Sequence, residues 1–308
     1  MDRSGVMKWV RLSRPFTLLP PLLGMLSGAA SAYGVGAAAS LATGRIWFLV
    51  LSGAAMASLL NAASNVLNQV CDLELDRINK PERPLPRGEV TVRGASIFSA
   101  ALYGASITLA YFVIPGTFPE VFVIVVFTAF LTWSYSARPL RLRRIWWLAP
   151  LVIALPRGGL LKVCGWATLA PVAADREPWL LGGLFFLFIL GAASTKDFED
   201  VEGDRRGGVV TLPVRFGARR AAVIMAPFYV LPWVLLVVLA NTGALSLDPL
   251  LASGLGLFLA IHGGVTAAQM IRRADDLVGG PHGRRAWRNL YLLMMEAQVG
   301  VGLLYLIP

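Results

Sequence analysis

The stretch "IWFLVLSGAAMASLLNAASNVLNQVCDLELDRINKPERPLPRG", Ile46 to Gly88, runs from continuous apolar sequence into a dense block of charge. Its first part is long enough to cross a membrane, because about 20 helical residues match a hydrocarbon core of roughly 30 Å. From Asn68 to Thr91 the chain then carries five acidic and four basic side chains. Acids delivered to a membrane surface by an apolar helix are costly unless something compensates them.

The rest of the chain is equally apolar. Of 308 residues 56% are hydrophobic and 15% charged, and the mean hydropathy is +0.65, outside the range of soluble domains. Nine apolar runs are long enough to be membrane helices: 16–34, 46–68, 95–114, 118–135, 146–170, 178–196, 220–240, 248–271 and 289–307. They are continuous and lack the period-two alternation of a membrane barrel. The expectation is an all-α polytopic membrane protein, residues 1–308 forming a single bundle of nine transmembrane helices around a central cavity open to the cytoplasmic side.

A net charge of +10 suggests nucleic acid, but in a membrane protein the position of the charge matters more than its sum. All 28 basic side chains except Arg45, Arg157, Lys162 and Arg176 lie in the N-terminal tail or after the second, fourth, sixth and eighth runs. The positive-inside rule therefore predicts an integral cell-membrane protein with a cytoplasmic N-terminus and an external C-terminus, and no nucleic-acid partner. The first apolar run contains Pro20 and Pro21 and reads as the start of the bundle, not as a cleaved leader. Cys71 and Cys164 form no metal spacing or disulfide framework and read as packing residues.

A second charged segment, "KDFEDVEGDRRGGVVTLPVRFG" from Lys196 to Gly217, echoes the first. The segments 68–94 and 196–217 share Asp-x-x-x-Asp-Arg (Asp72, Asp76, Arg77; Asp200, Asp204, Arg205) and a later Leu-Pro pair. The copies lie four helices apart, which keeps them in one orientation, as in a parallel internal repeat about an axis along the membrane normal. Two acidic helix ends then face each other across the cavity.

On a continuous helix Asn68, Asp72 and Asp76, at i, i+4 and i+8, share a face, as do Asp197, Asp200 and Asp204 at i, i+3 and i+7; Glu199 and Glu202 point elsewhere. Carboxylates so grouped repel unless cations lie between them. Oxygen donors without His or Cys favour Mg²⁺, which binds one or two carboxylates together with water and substrate phosphates. The missing ligand is then a diphosphate, with Lys80, Arg83, Arg87, Arg138 and Arg143 as candidates for its oxygens. Arg143 and Arg144 also suit lipid headgroups. A diphosphate clamp at the mouth of an intramembrane cavity fits a polar head on a long apolar tail, that is, a polyprenyl diphosphate.

Isolated polar groups within the runs are a separate set. Lys162 and Arg157 are cations in an apolar helix, where a charge faces a cavity or a partner, and Lys162 is expected to line the pocket and hold diphosphate. Glu296 reads as paired with a basic residue, and His262 as packed. Asn61 and Asn65 suit either an interhelical hydrogen bond or acceptor contact.

Together the two segments, Asn-x-x-x-Asp-x-x-x-Asp followed by "RINKPERPLPRG" and Asp-x-x-Asp-x-x-x-Asp followed by "GDRRGGVVTLPVRFG", resemble the two signatures of the UbiA superfamily of intramembrane prenyltransferases. The resemblance implies Asn68, Asp72 and Asp76 on one Mg²⁺ and Asp197, Asp200 and Asp204 on another. It departs at Gln69, where many members carry an acid. It also implies transfer of a prenyl group, such as geranylgeranyl, to a lipid or aromatic acceptor, with Asp72, Asp76, Asp200 and Asp204 as the catalytic acids. Tyr135 is expected to stabilise the allylic cation. "KDFEDVEGDRRGG" is similar to digeranylgeranylglyceryl phosphate synthases and "YSARPLRLRR" to chlorophyll and homogentisate enzymes, while 4-hydroxybenzoate polyprenyltransferases share the first segment. The reading leans towards a glyceryl ether lipid. A rival of another class is a divalent-cation or lipid transporter, which predicts flux without prenyl turnover.

Overall fold

Helix starts in this chain follow local chemistry. Thr91 caps Val92–Phe112 by accepting the Gly94 N–H at 3.1 Å, and Asp248 caps Pro249–Arg272 by accepting the Leu251 N–H at 2.8 Å. Pro20 and Pro249 stand in the first turn of their helices, where a missing N–H costs nothing. The computed structural model describes residues 3–113, 120–279 and 281–307.

The protein is an all-α integral membrane protein. Seven helical segments among the described residues are long and apolar enough to cross a membrane: Thr43–Cys71, Val92–Phe112, Leu148–Ala167, Glu177–Arg206, Ala218–Asn241, Pro249–Arg272 and His282–Leu306. Two shorter helices, Leu19–Gly34 and Glu120–Ser136, fall on the remaining expected runs. Ile114 and Phe118, at the edges of two expected runs, lie outside the described residues. The run expected to stop at 196 instead continues as helix through the acidic segment to Arg206.

Close packing relies on small side chains, because lipid supplies no hydrophobic drive between helices. Leu19–Gly34 meets Leu161–Ala167 at Gly28 and Gly165, and a Cβ on Gly165 would lie 2.5 Å from the Met25 carbonyl oxygen. Leu19–Gly34 also packs on the last helix, where Gly34 abuts the Tyr305 backbone and Gly302 abuts Ser27. The two ends of the chain are thus joined in one wall.

The Leu148–Ala167 segment is not uniform. It winds as a π-helix over Leu155–Leu160, and the Leu161 N–H reaches back five residues to the Pro156 carbonyl. Gly158 sits against the Phe185 backbone, where a Cβ would come within 2.5 Å of the carbonyl oxygen, and Gly159 lies beside Gly182. Those glycines let the π turn press on the Glu177–Ala192 helix, while Arg157 lines the cavity.

Gly165→Leu is expected to lower stability by about 1–3 kcal/mol through overpacking. Gly183→Ala, with no atom of the described residues within 4 Å of its new Cβ, should leave it unchanged. Thermal unfolding in detergent, followed by tryptophan fluorescence, checks the pair; equal transitions would contradict the close contact.

Candidate active site

The Thr43–Cys71 helix bends at Asp72, whose φ of −110° and ψ of 15° interrupt it, and resumes as Leu73–Asn79. The hydrogen-bond ladder nevertheless survives in the row that matters. The Asp72 N–H bonds to Asn68 O at 2.9 Å, Asp76 to Asp72 O at 2.8 Å and Lys80 to Asp76 O at 2.8 Å. Asn68 Nδ2 donates to Asp72 Oδ2 at 2.7 Å. Asp72 pairs with Arg143 and, at 3.4 Å, with Arg141, while Asp76 pairs with Arg83 at 2.6 Å.

The second acidic row arrives by another route. Glu177–Ala192 tightens into a 3₁₀ turn at Ala193–Lys196 and continues as Asp197–Arg206, which carries Asp197, Asp200 and Asp204. Gly203 abuts the Asn79 side chain and Gly207 abuts Leu75, so this helix packs directly on Leu73–Asn79. Lys80 Nζ then reaches Asp200 at 2.9 and 3.0 Å, and Arg143 Nη2 lies 3.9 Å from Asp204. Arg143 therefore stands between Asp72 and Asp204. The two acidic segments, distant in sequence, form one ion-paired assembly.

Burial lowers the Arg143 pKa from the ordinary guanidinium value, against the pull of Asp204, Asp197 and Asp200. Burial, with Arg83 and Arg157 nearby, brings Arg14 down to about 10. Asp197 lines a small recess with Tyr135, Trp146 and Thr211. Among the described residues no three His, Cys, Asp or Glu side chains converge closely enough to hold a metal by themselves.

Beside the ion pairs lies a cavity of about 220 Å³. Arg14, Asn61, Asn65, Asn68, Arg157 and Lys196 supply its polar wall; Ala57, Leu60, Ile153, Phe188 and Met294 are among its apolar groups. Asn61 and Asn65 both face the cavity and donate to the Thr17 region, at 2.8 Å to Thr17 O and 2.8 Å to Thr17 Oγ1 respectively. Tyr135 lines the cavity with the Lys196 ammonium 6.0 Å from its ring centroid. Trp287 and Tyr291 of the last helix also line it, and Tyr291 stacks on Phe16 and donates to its carbonyl at 2.7 Å.

Of the basic residues expected on a diphosphate, Lys80, Arg83 and Arg143 join the acidic rows. Arg87 and Arg138 do not. Arg87 is 56% exposed and pairs with Glu89 at 3.2 Å, and Arg138 is exposed in the turn after Glu120–Ser136. Lys162 does not line the cavity either. It is fully buried between helices, donates to Ser27 Oγ at 2.5 Å and lies 4.5 Å over the Phe185 ring, so its ammonium has a local hydrogen-bond and π partner. Glu296 pairs with His262 at 2.7 Å, and both cysteines are free.

Arg14, Arg141, Thr17 and Lys196 were not singled out by motif. Arg14 and Arg141 have φ of 57° and 44°, left-handed values that a residue with a Cβ adopts at a cost and that accompany the turn of each side chain towards the site. Nothing in their sequence surroundings marks that backbone. Lys196 was legible in principle as the residue preceding Asp197 at a helix end.

Facing carboxylate helices above an apolar intramembrane cavity define an enzyme class that handles amphiphiles with an anionic head. Residues 18–277 match the UbiA prenyltransferase family, and the chain belongs to it: the protein is an intramembrane prenyltransferase. It is 28% identical to the bacteriochlorophyll synthase 33 kDa chain of Cereibacter sphaeroides over 313 residues, covering 97% of this chain and 94% of that protein. It is 31% identical to the digeranylgeranylglyceryl phosphate synthase of Thermococcus kodakarensis over 227 residues, covering 72% and 74%. Its fold is similar to that of a UbiA homolog from Archaeoglobus fulgidus bound to GPP and Mg²⁺, with a TM-score of 0.68, 18% identity and 97% and 99% coverage.

Replacing Lys162 tests its separation from the cavity. Lys162→Met should leave the KM for a prenyl diphosphate within about twofold of wild type, since it removes no group from the cavity wall. A tenfold or greater rise in that KM, measured in steady-state assays, would return the lysine to the donor site.

Proposed function

We propose that this enzyme transfers a prenyl group from a polyprenyl diphosphate, with geranylgeranyl diphosphate as the first donor to test, to an amphiphilic acceptor. In this reading residues 1–308 act as one unit of nine crossings, with the N-terminus in the cytoplasm and the C-terminus outside. The observation that carries it is the bridging of Asp72 and Asp204 by Arg143, beside the Lys80–Asp200 pair, at the polar side of the cavity.

The donor set suits Mg²⁺. It consists of hard oxygens, and Mg²⁺ needs few of them because it keeps water and phosphate ligands. Asn68, Asp72 and Asp76 would hold one ion, and Asp200 and Asp204, with Asp197 beside them, another. Bound there, Mg²⁺ supplies Lewis-acid stabilisation of charge on the leaving diphosphate.

The chain's own groups perform the remaining tasks. Lys80, Arg83 and Arg143 exchange their present partners for phosphate oxygens, and Arg14 adds a fourth cation from the cavity wall, giving charge-assisted hydrogen bonds. The allylic C–O bond breaks with both electrons leaving on the diphosphate, and the Tyr135 ring offers its π face to the carbon that becomes positive. Apolar walls keep water from capturing that carbon. The acceptor nucleophile then forms the new bond to that carbon, and its proton passes to an oxygen of the departed diphosphate. A cavity of about 220 Å³ suits the head and reacting end, leaving the remainder of a long tail to the lipid. The digeranylgeranylglyceryl phosphate synthase relative supports a glyceryl ether acceptor, to which this reading leans; the bacteriochlorophyll synthase relative supports a chlorophyll-type one.

The test is product formation from purified protein, Mg²⁺, geranylgeranyl diphosphate and a panel of glyceryl ether, aromatic and chlorophyll-type acceptors. Asp72→Ala and Asp200→Ala should each lower turnover by about a hundredfold or more, and chelation should abolish it reversibly. Absence of product with every acceptor, or full activity in both variants, would overturn the reading. Mg²⁺ flux into proteoliposomes without turnover would indicate a transporter instead.

A further inference from the structure

Arg157 stands at the middle of the Leu148–Ala167 segment, yet its side chain is exposed, because it opens onto the cavity. Among the described residues it has no carboxylate at ion-pair distance; its electrostatic neighbours are the phenols of Tyr135, Tyr291 and Tyr103. Arg14 and Lys196 lie within electrostatic reach and add like charge. The cavity-lining residues nearest to Arg157 along its own segment, Val152, Ile153, Pro156 and Leu161, are apolar. A cation so situated within a membrane protein ordinarily has a partner. Lys162, five positions on, has one in Ser27 and the Phe185 ring. Arg157 lacks its own.

We infer that Arg157 is a specificity-determining residue that binds an oxyanion, phosphate or carboxylate, carried by the acceptor. This rests on the prenyl-transfer reading above and narrows it to anionic acceptors. In that reading the diphosphate head already has Lys80, Arg83, Arg143 and Arg14 to hold it, with Arg141 beside Asp72. An acceptor attacks the allylic carbon from the side away from the leaving group, so its own polar group lies elsewhere in the cavity. Two anions in one low-dielectric chamber repel each other, and a cation reserved for the second lets both bind. The π turn explains how the cation is held: glycines 158 and 159 seat the backbone on the neighbouring helix, so Arg157 is presented by a fixed turn.

Binding of simple amphiphiles tests this without turnover. With the protein in neutral detergent and Mg²⁺, geranylgeranyl thiodiphosphate first fills the donor site, and binding is read by quenching of tryptophan, Trp287 being on the cavity wall. Hexadecyl phosphate and hexadecanoate are then titrated against neutral hexadecylglycerol. Wild type should prefer at least one anion by about tenfold, as expected for a charge-assisted hydrogen bond, and the stronger of the two identifies the oxyanion. Arg157→Gln and Arg157→Met should erase that preference, and Arg157→Lys should keep part of it. Thiodiphosphate affinity should remain unchanged in all three.

Retention of the anion preference in both Arg157→Gln and Arg157→Met, or its absence in wild type, would overturn the inference. Equal loss of thiodiphosphate affinity would also overturn it and assign Arg157 to the donor. If wild type fails to bind the thiodiphosphate, the prenyl-transfer reading fails, and the anion titrations in its absence still judge Arg157.

Discussion

Carboxylates brought together at the edge of a membrane must be compensated, and the site is organised around that requirement. At an effective dielectric of about 20, two unit charges about 4 Å apart interact by about 4 kcal/mol, a large share of any protein's net stability. Arg143 answers for Asp72 and Asp204 together, and Lys80 for Asp200. The close seat of Gly203 on Asn79 and of Gly207 on Leu75 brings the two acidic helices within reach of those bridges. The bend at Asp72 redirects the chain towards the second helix while the Asn68–Asp72–Asp76–Lys80 ladder continues.

In this arrangement Asp72, Asp76, Asp200 and Asp204 are each paired with a basic side chain of the same chain. On the proposed function, substrate binding would be an exchange of partners, with phosphate oxygens replacing carboxylates on the basic side chains and freeing those carboxylates to hold Mg²⁺. Such an exchange moves little net charge into the membrane. It also suits an amphiphile whose head is water-soluble and whose tail is not, because the charged traffic stays at one end of the cavity and the apolar walls remain dry.

The helical fold and the facing acids were legible because they follow from short-range regularities: apolar length, i+4 spacing and a repeated motif. The ion pairs between segments were not, since Lys80 and Asp200 meet through the tertiary packing of Gly203 on Asn79 and Gly207 on Leu75. Arg87 and Arg138 looked equivalent to Arg83 and Arg143 in composition, yet they face outwards. Lys162 and Arg157 show the limit most clearly. Both are cations in one apolar run, five residues apart, and an ordinary helix would set them about 140° apart. Periodicity alone could not say which one faces the cavity. The outcome depended on Ser27 and Phe185 beside Lys162, and on a local change of winding beside Arg157.

That change of winding has an evolutionary side. A π turn holds one residue more than the α turn it replaces, and the helix on either side keeps its own regular geometry. A single-codon insertion or deletion at such a turn can rotate one cavity-lining position into or out of the chamber while both flanking helix halves keep their neighbours. The chemical character of this chamber is therefore adjustable in steps too small to disturb the bundle, and a scaffold with that property can change its partner molecules without first losing its fold.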